Sequence, residues 1–163
     1  MGRTVKSIFN PRYLHKCPLT LPREAVCMDY MISNNFDLIK NYFDTLDKAD
    51  GPRGGPYKRT DVGQFVPSPL LHLEAAFAHM IALGEIGVGS KFLDAGCGDA
   101  RVLAIISGVH SVQSVGIEYD EEMAQKSSRN LDQLTEMGLK QGAWQVVHGD
   151  FMDNKSYAEI GLG

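Results

Sequence analysis

Residues 91–107 read Lys91-Phe92-Leu93-Asp94-Ala95-Gly96-Cys97-Gly98-Asp99-Ala100 and then RVLAIIS. A short apolar run, an acidic residue, two spaced glycines and an apolar helical run, in that order, describe a strand that turns tightly into a helix. The glycines permit backbone conformations that side chains resist, and the first turn of the helix offers N–H groups with no partner inside it. The same alternation continues downstream. SVGIE (114–118) reads as a second strand, with a β-rich apolar centre. DEEMAQKSSRNLDQLTEM (120–137) sets Met123, Ser127, Leu131 and Leu134 on one stripe of an amphipathic helix, and AWQVVHGD (143–150) reads as a third strand. Strands alternating with helices of this length form βαβ units and a parallel sheet.

Upstream the pattern is different. Residues 35–48 place Phe36, Ile39, Phe43 and Leu46 on one helical face, with Asn34 or Asn35 available as a cap. Residues 1 to 33 show no sustained periodicity and hold Pro11, Pro18 and Pro22, so an extended arm or irregular cap is expected there. The stretch 49–63, ADGPRGGPYKRTDVG, carries four glycines and two prolines and is expected to be a loop or hinge without regular structure. Ser68-Pro69 reads as a helix start, a capping hydroxyl followed by proline at the first helical position, and the helix LLHLEAAFAHMIAL ends at Gly84. The expected organisation is an N-terminal arm and helix over 1–56 and a ligand-binding α/β unit over 57–163.

Bulk composition restricts the function classes. The 163 residues are 44% hydrophobic and 22% charged, as in ordinary globular domains, and the formal net charge of -4 disfavours nucleic-acid binding by bulk electrostatics. No apolar run approaches the roughly 20 residues of a membrane-spanning helix. The basic start, with Arg3, Lys6, Arg12 and Lys16, lacks the apolar centre of a secretory signal, so the cytoplasm is the expected compartment. Cys17, Cys27 and Cys97 are an odd number of cysteines without metal-type spacing, and they read as thiols in a reducing compartment.

Three acidic residues close the three strands: Asp94, Glu118 and Asp150. A dinucleotide would require GxGxxG or GxGxxA at the first turn, but the sixth position is Arg101, and Asp94 would repel a pyrophosphate. Asp94 instead suits a cationic amine on an amino-acid-like tail. Glu118, at the tip of the second strand, suits the two hydroxyls of a ribose. Tyr119, next to it, offers a ring to an adenine face.

Asp94 to Ala100 resembles motif I of the class I, Rossmann-like S-adenosylmethionine methyltransferases, D-x-G-x-G-x-G, with Ala100 in place of the last glycine. The resemblance spans residues 57–153. It implies that Asp94, Gly96 and Gly98 hold the methionine end and Glu118 the ribose. It also implies that Asp150 accepts from the adenine amine and that the N–H of Phe151 meets a ring nitrogen. Gln64-Phe65-Val66-Pro67-Ser68-Pro69 is similar to a Y/F-V-P-[ST]-P segment before motif I in a group that includes protein-lysine methyltransferases and is distantly similar to the DOT1-like class. There the segment closes over the methionine end of the cofactor, so Ser68 is expected to face the cofactor's carboxylate.

A complete domain of that family carries further strands after the third. The expectation is therefore an incomplete Rossmann-like sheet of three strands with flanking helices, the cofactor-binding half of a methyltransferase cut short at its C-terminal side. The first strand would then be an open apolar edge available for self-association. The implied cofactor is S-adenosyl-L-methionine, and the implied partner is a methyl acceptor, a protein lysine by the VPSP segment or a small molecule. A non-catalytic cofactor-binding module is the alternative from outside the enzymes, and a nicotinamide or flavin protein is a third reading. No catalytic residue is assigned, and no metal is expected. His72 and His79 share a helix face without further ligands. Arg101 is expected in solvent at the helix start. Cys97, near helix N–H groups, is a candidate for a lowered pKa but for no catalysis. Trp144 is expected to pack in the core or at an edge. Lys40, Lys48, Arg53, Lys58 and Arg59 are expected as solvated charge around the loop.

Overall fold

The structure is a computed structural model that describes residues 23–49, 58–60, 63–87, 89–139 and 143–160. Its centre is a parallel sheet. Strands β3 (Lys91–Ala95), β4 (Gln113–Glu118) and β5 (Trp144–His148) lie in the order β3-β4-β5, with Asp94 opposite Gly116 and Glu118 opposite His148. Helix α3 (Arg101–Gly108) makes the crossover from β3 to β4, and α4 (Glu121–Glu136) the crossover from β4 to β5. This is the parallel α/β arrangement the alternation predicted and the Rossmann-like sheet the resemblance implied. Two antiparallel strands, β1 (Lys58–Thr60) and β2 (Gly63–Phe65), form a separate hairpin. Helices α1 (Arg23–Ala49), α2 (Leu70–Ala82) and the short α5 (Asn154–Glu159) complete the element list among the described residues.

The two faces of β4 explain the layering. Val115 and Ile117 point to a small core with Val147 and Ile160, flanked by Leu93 and Tyr157. Ser114 and Gly116 point the other way, where Leu103, Ile105, Ile106, Leu131 and Leu134 of α3 and α4 are fully or almost fully buried together with Ile39 and Phe43 of α1. Gly116 leaves a gap that its neighbours fill. A Cβ there would lie 2.6 Å from both Cβ and Sγ of Cys97 and 2.8 Å from Leu103 Cδ1. Gly116→Ala is therefore expected to destabilise the fold by about 1–3 kcal/mol through overpacking, and a urea melt of the variant checks it.

The amphipathic assignments hold. Met123, Ser127, Leu131 and Leu134 are all buried, and so are Ile39 and Phe43, with Phe36 and Leu46 packed beside them. Asp120 caps α4 by accepting from the Met123 N–H at 2.8 Å, and Gly84 ends α2 in the left-handed conformation (φ 73°). Trp144 packs against the main core.

Four expectations need correction. Helix α1 begins at Arg23, so neither Asn34 nor Asn35 caps it, and residues 23–33 are helix rather than arm. Asn35 Nδ2 instead donates to the Gly108 carbonyl at 2.7 Å and ties α1 to α3. Strand β1 and the start of β2 at Gly63 lie inside the stretch expected to lack regular structure. Ser68 makes no capping bond, because Pro69 is the N-cap of α2. Lys58 is not merely solvated: its Nζ reaches Glu122 Oε2 at 2.7 Å and Asp120 Oδ1 at 3.4 Å. The expectations for residues 1–22, Cys17, Arg53 and the side chain of Cys27 lie outside what the structure describes.

Candidate functional site

The strand-to-helix turn is built by backbone and held by side chains from β4 and α4. Gly96 (φ 85°) and Gly98 (φ 58°) take left-handed conformations, and Ala100 (φ 68°) does so despite its Cβ. That conformation costs a non-glycine residue roughly 1–2 kcal/mol, so it persists only where the surroundings impose it. They do. The N–H groups of Gly96 and Cys97 donate to the Ile117 carbonyl at 2.8 and 3.2 Å. The Gly98 N–H donates to Glu118 Oε2 at 2.8 Å. From α4, Ser127 Oγ donates to the Gly98 carbonyl, and Asn130 Nδ2 donates to the Asp99 carbonyl at 2.8 Å.

Above this turn lies a cavity of about 370 Å³, within the range of small-molecule sites. Its lining includes Phe65, Ser68, Asp94, Gly96, Gly98 and Glu118. The Phe65 ring rests directly on Gly98, where a Cβ would come within 2.4 Å of Phe65 Cε2. Phe65 faces Lys58 across the hairpin, and Lys58 is anchored to the start of α4, so the hairpin is strapped across the mouth of the turn.

Asp94 is the electrostatic centre of the cavity. Its Oδ2 is buried with no hydrogen-bond partner. Burial foremost, and then the charge of Glu118, pushes its carboxyl up to about 6. A carboxylate in this position is under-satisfied, and a cation that donates hydrogen bonds would relieve it. Glu118 is nine per cent exposed and better served, with Oε1 accepting from the Asp120 N–H at 3.0 Å. Each of its oxygens still has a lone pair to offer.

Five of the eight residues singled out in the sequence thus line one cavity: Ser68, Asp94, Gly96, Gly98 and Glu118. The other three stand at the ends of β4 and β5, outside that lining. Tyr119 is 49% exposed, with its carbonyl 3.0 Å from His148 Nε2. Asp150 Oδ1 accepts from the Met152 N–H at 2.8 Å, and Phe151 is 39% exposed.

Two readings of single residues are overturned. Arg101 is not in solvent but 4% exposed. Its Nε and Nη2 donate to Asp99, its Nη1 and Nη2 to Asp47, and its guanidinium lies 5.0 Å above the ring centroid of Phe43. Burial disfavours its charge, but the two carboxylates outweigh that and raise its pKa further. Cys97 is not an activated thiol, because burial pushes it up to about 12. The residues that pattern reading missed are Asp47 and Asp99; the charge pattern Asp99-x-Arg101 was the available signal. His72 and His79 are exposed on α2, and among the described residues no group of three His, Cys, Asp or Glu side chains is placed to hold a metal ion. None of the described helices is long and apolar enough to cross a membrane.

A family model described as methionine biosynthesis protein MetW matches residues 76–141, less than half of the chain. No curated protein matches. Among solved structures, the chain is similar to an RNA methyltransferase from Salinibacter ruber in complex with S-adenosyl-L-homocysteine, with 24% identity, coverage of 54% of this chain and 52% of that chain, and a TM-score of 0.40. A SAM-dependent methyltransferase from Thiobacillus denitrificans in complex with S-adenosyl-L-homocysteine matches at 16% identity over 53% of this chain and 38% of that one, with a TM-score of 0.34. A protein-L-isoaspartate O-methyltransferase matches at 22% identity over 74% of this chain and 42% of that one, with a TM-score of 0.38. The chain therefore spans about half the length of the first of these proteins and less than half of the other two.

Proposed function

We propose that this chain is the cofactor-binding part of an S-adenosylmethionine-dependent methyltransferase. The observation that carries the reading is the buried, unpartnered Asp94 Oδ2 in a cavity that Gly96, Gly98 and Glu118 also line. That donor set fits a ligand with an ammonium at one end and a ribose diol beyond it. A dinucleotide fits less well, because Asp94 faces the place of a pyrophosphate and the sixth position of the fingerprint is filled by the buried Arg101.

In this reading Asp94 accepts from the ammonium of the methionine end, and the Ser68 hydroxyl, free of any capping duty, turns to its carboxylate. Gly96 and Gly98 let the backbone approach the ligand closely. Glu118 holds the Gly98 N–H in place and accepts the ribose hydroxyls on its remaining lone pairs. Tyr119, Asp150 and the Phe151 N–H, at the next strand ends, serve the adenine. Phe65 keeps water off the turn. S-adenosylmethionine itself supplies a methyl group already activated by the sulfonium, so a protein's share of such a transfer is alignment and desolvation. The VPSP segment supports a protein lysine as acceptor, with RNA and small molecules as the competing classes.

A thermal melt in the presence of S-adenosylmethionine, S-adenosylhomocysteine or NAD tests the cofactor. At 100 times the dissociation constant, a ligand adds about 2.7 kcal/mol to stability, and both sulfur nucleosides are expected to raise the midpoint while NAD leaves it unchanged. A shift with NAD alone, or a cooperative melt that neither nucleoside moves, overturns the reading. Transfer of radiolabelled methyl to lysine-bearing protein, RNA or small molecules by the whole protein then separates the acceptor classes.

A further inference from the structure

Helix α1 lies outside the cavity, yet it reaches the glycine turn by two routes. In the first, Asp47 accepts from Arg101 Nη2 at 2.8 Å and Nη1 at 3.3 Å, and Arg101 in turn grips both oxygens of Asp99 through Nε at 3.0 and 3.1 Å and through Nη2 at 2.6 Å. In the second, the Tyr42 hydroxyl donates to Asn130 Oδ1 at 2.9 Å, and Asn130 Nδ2 holds the Asp99 carbonyl. Asp99 and Arg101 flank Ala100, the one residue of the turn that is left-handed without being glycine.

We infer that Asp47 is a positioning residue for the cofactor turn, acting through Arg101 and Asp99, so that α1 tunes the affinity of a cavity it does not line. The inference rests on the cofactor reading above for its consequence, though not for its geometry. Arg101 is buried, and a buried guanidinium stripped of one carboxylate must find another acceptor. Arg101 and Asp94 line the same cavity, and Asp94 Oδ2 is the buried acceptor there without a partner. Without Asp47, Arg101 is drawn toward Asp94 and competes with the ligand's cation, while Asp99 loses the partner that fixes the turn. With Asp47 in place, Arg101 is occupied and the negative charge of Asp94 is kept for the ligand.

Two readouts on Asp47→Ala, Asp47→Asn and Asp47→Glu test this. By calorimetry with S-adenosylhomocysteine, the Ala and Asn variants are expected to bind about tenfold more weakly, with Glu restoring most of the loss. In the ligand-free chain, amide hydrogen exchange at Gly98 is expected to quicken about tenfold in the Ala and Asn variants, while exchange in the centres of β4 and α4 stays unchanged. A purely structural ion pair would speed exchange everywhere or nowhere in particular, and unchanged exchange at Gly98 overturns the inference. So does an unchanged dissociation constant in a folded Asn variant. If the parent chain binds no S-adenosylhomocysteine, the cofactor reading fails on its own, and the exchange measurement still decides the role of Asp47.

Discussion

Asp94→Asn is expected to weaken S-adenosylmethionine binding about a hundredfold at pH 7 while making the ligand-free chain more stable. The loss follows from replacing a charge-assisted hydrogen bond to an ammonium by a neutral one, a change of about 1.5–3 kcal/mol. The gain follows from the carboxyl group's position. Its pKa stands near 6 in the folded chain against an ordinary value of 3.8. An acid whose folded pKa is raised holds its proton in the folded state after the unfolded chain has lost it. Between pH 3.8 and about 6 the folded state therefore binds more protons, and stability falls as pH rises through that window. At pH 7 the full penalty is present, on the order of 2 kcal/mol once partial exposure is allowed for. Asparagine removes it. Urea titrations from pH 4 to 8 should show the parent chain losing stability relative to the variant as pH rises across the window. Calorimetry should show cofactor affinity of the parent rising through pH 6, as Asp94 becomes charged. A variant less stable than the parent at pH 7, with unchanged affinity, would show that Asp94 is an internal structural group.

The largest expected effect on stability alone belongs to Phe43→Ala. Phe43 is fully buried between α1 and α3, beneath the Arg101 guanidinium and edge-on to Tyr42 at 5.2 Å. Removing a buried phenylalanine costs about 3–5 kcal/mol, and the cation–π contact adds about 0.5–2 kcal/mol where the cation is desolvated. Since whole domains have about 5–15 kcal/mol, this single change should consume much of the total. Phe43→Leu separates the contributions: it keeps most of the apolar volume and loses the ring, and about 1–2 kcal/mol is expected. Denaturant unfolding followed by circular dichroism measures both. A cost below 1 kcal/mol for the alanine variant would mean that α1 melts apart from the sheet.

The sequence made the β3-to-β5 region legible because each of its signals is local. The glycines at 96 and 98, the acidic strand ends Asp94 and Glu118 and the stripe from Met123 to Leu134 all declare themselves within a few residues; four cavity residues lie in that region, and the fifth, Ser68, is named by the VPSP resemblance. What escaped was non-local or too short. The first turns of α1 carry Val26, Cys27, Met28, Tyr30, Met31 and Ile32 as a nearly continuous apolar run, which has no 3.6-residue period to read. Strands of three residues, Lys58–Thr60 and Gly63–Phe65, leave no room for alternation to be seen. Arg101 was assigned to solvent because its second carboxylate, Asp47, lies 54 positions away, where no local pattern connects them. Asp99, two residues before it, was the readable half of the pair.

The docking of α1 also bears on how this chain is made. The face of α1 that carries Ile39 and Phe43 is covered by α3 and α4, and Tyr42 pairs with Gln133, 91 positions later. Ribosomes add about 5–20 residues each second, so that face emerges about 5–20 s before its last partner. During this interval the nascent helix presents a phenylalanine and an isoleucine without their native cover, which opens this face to a chaperone at the tunnel exit.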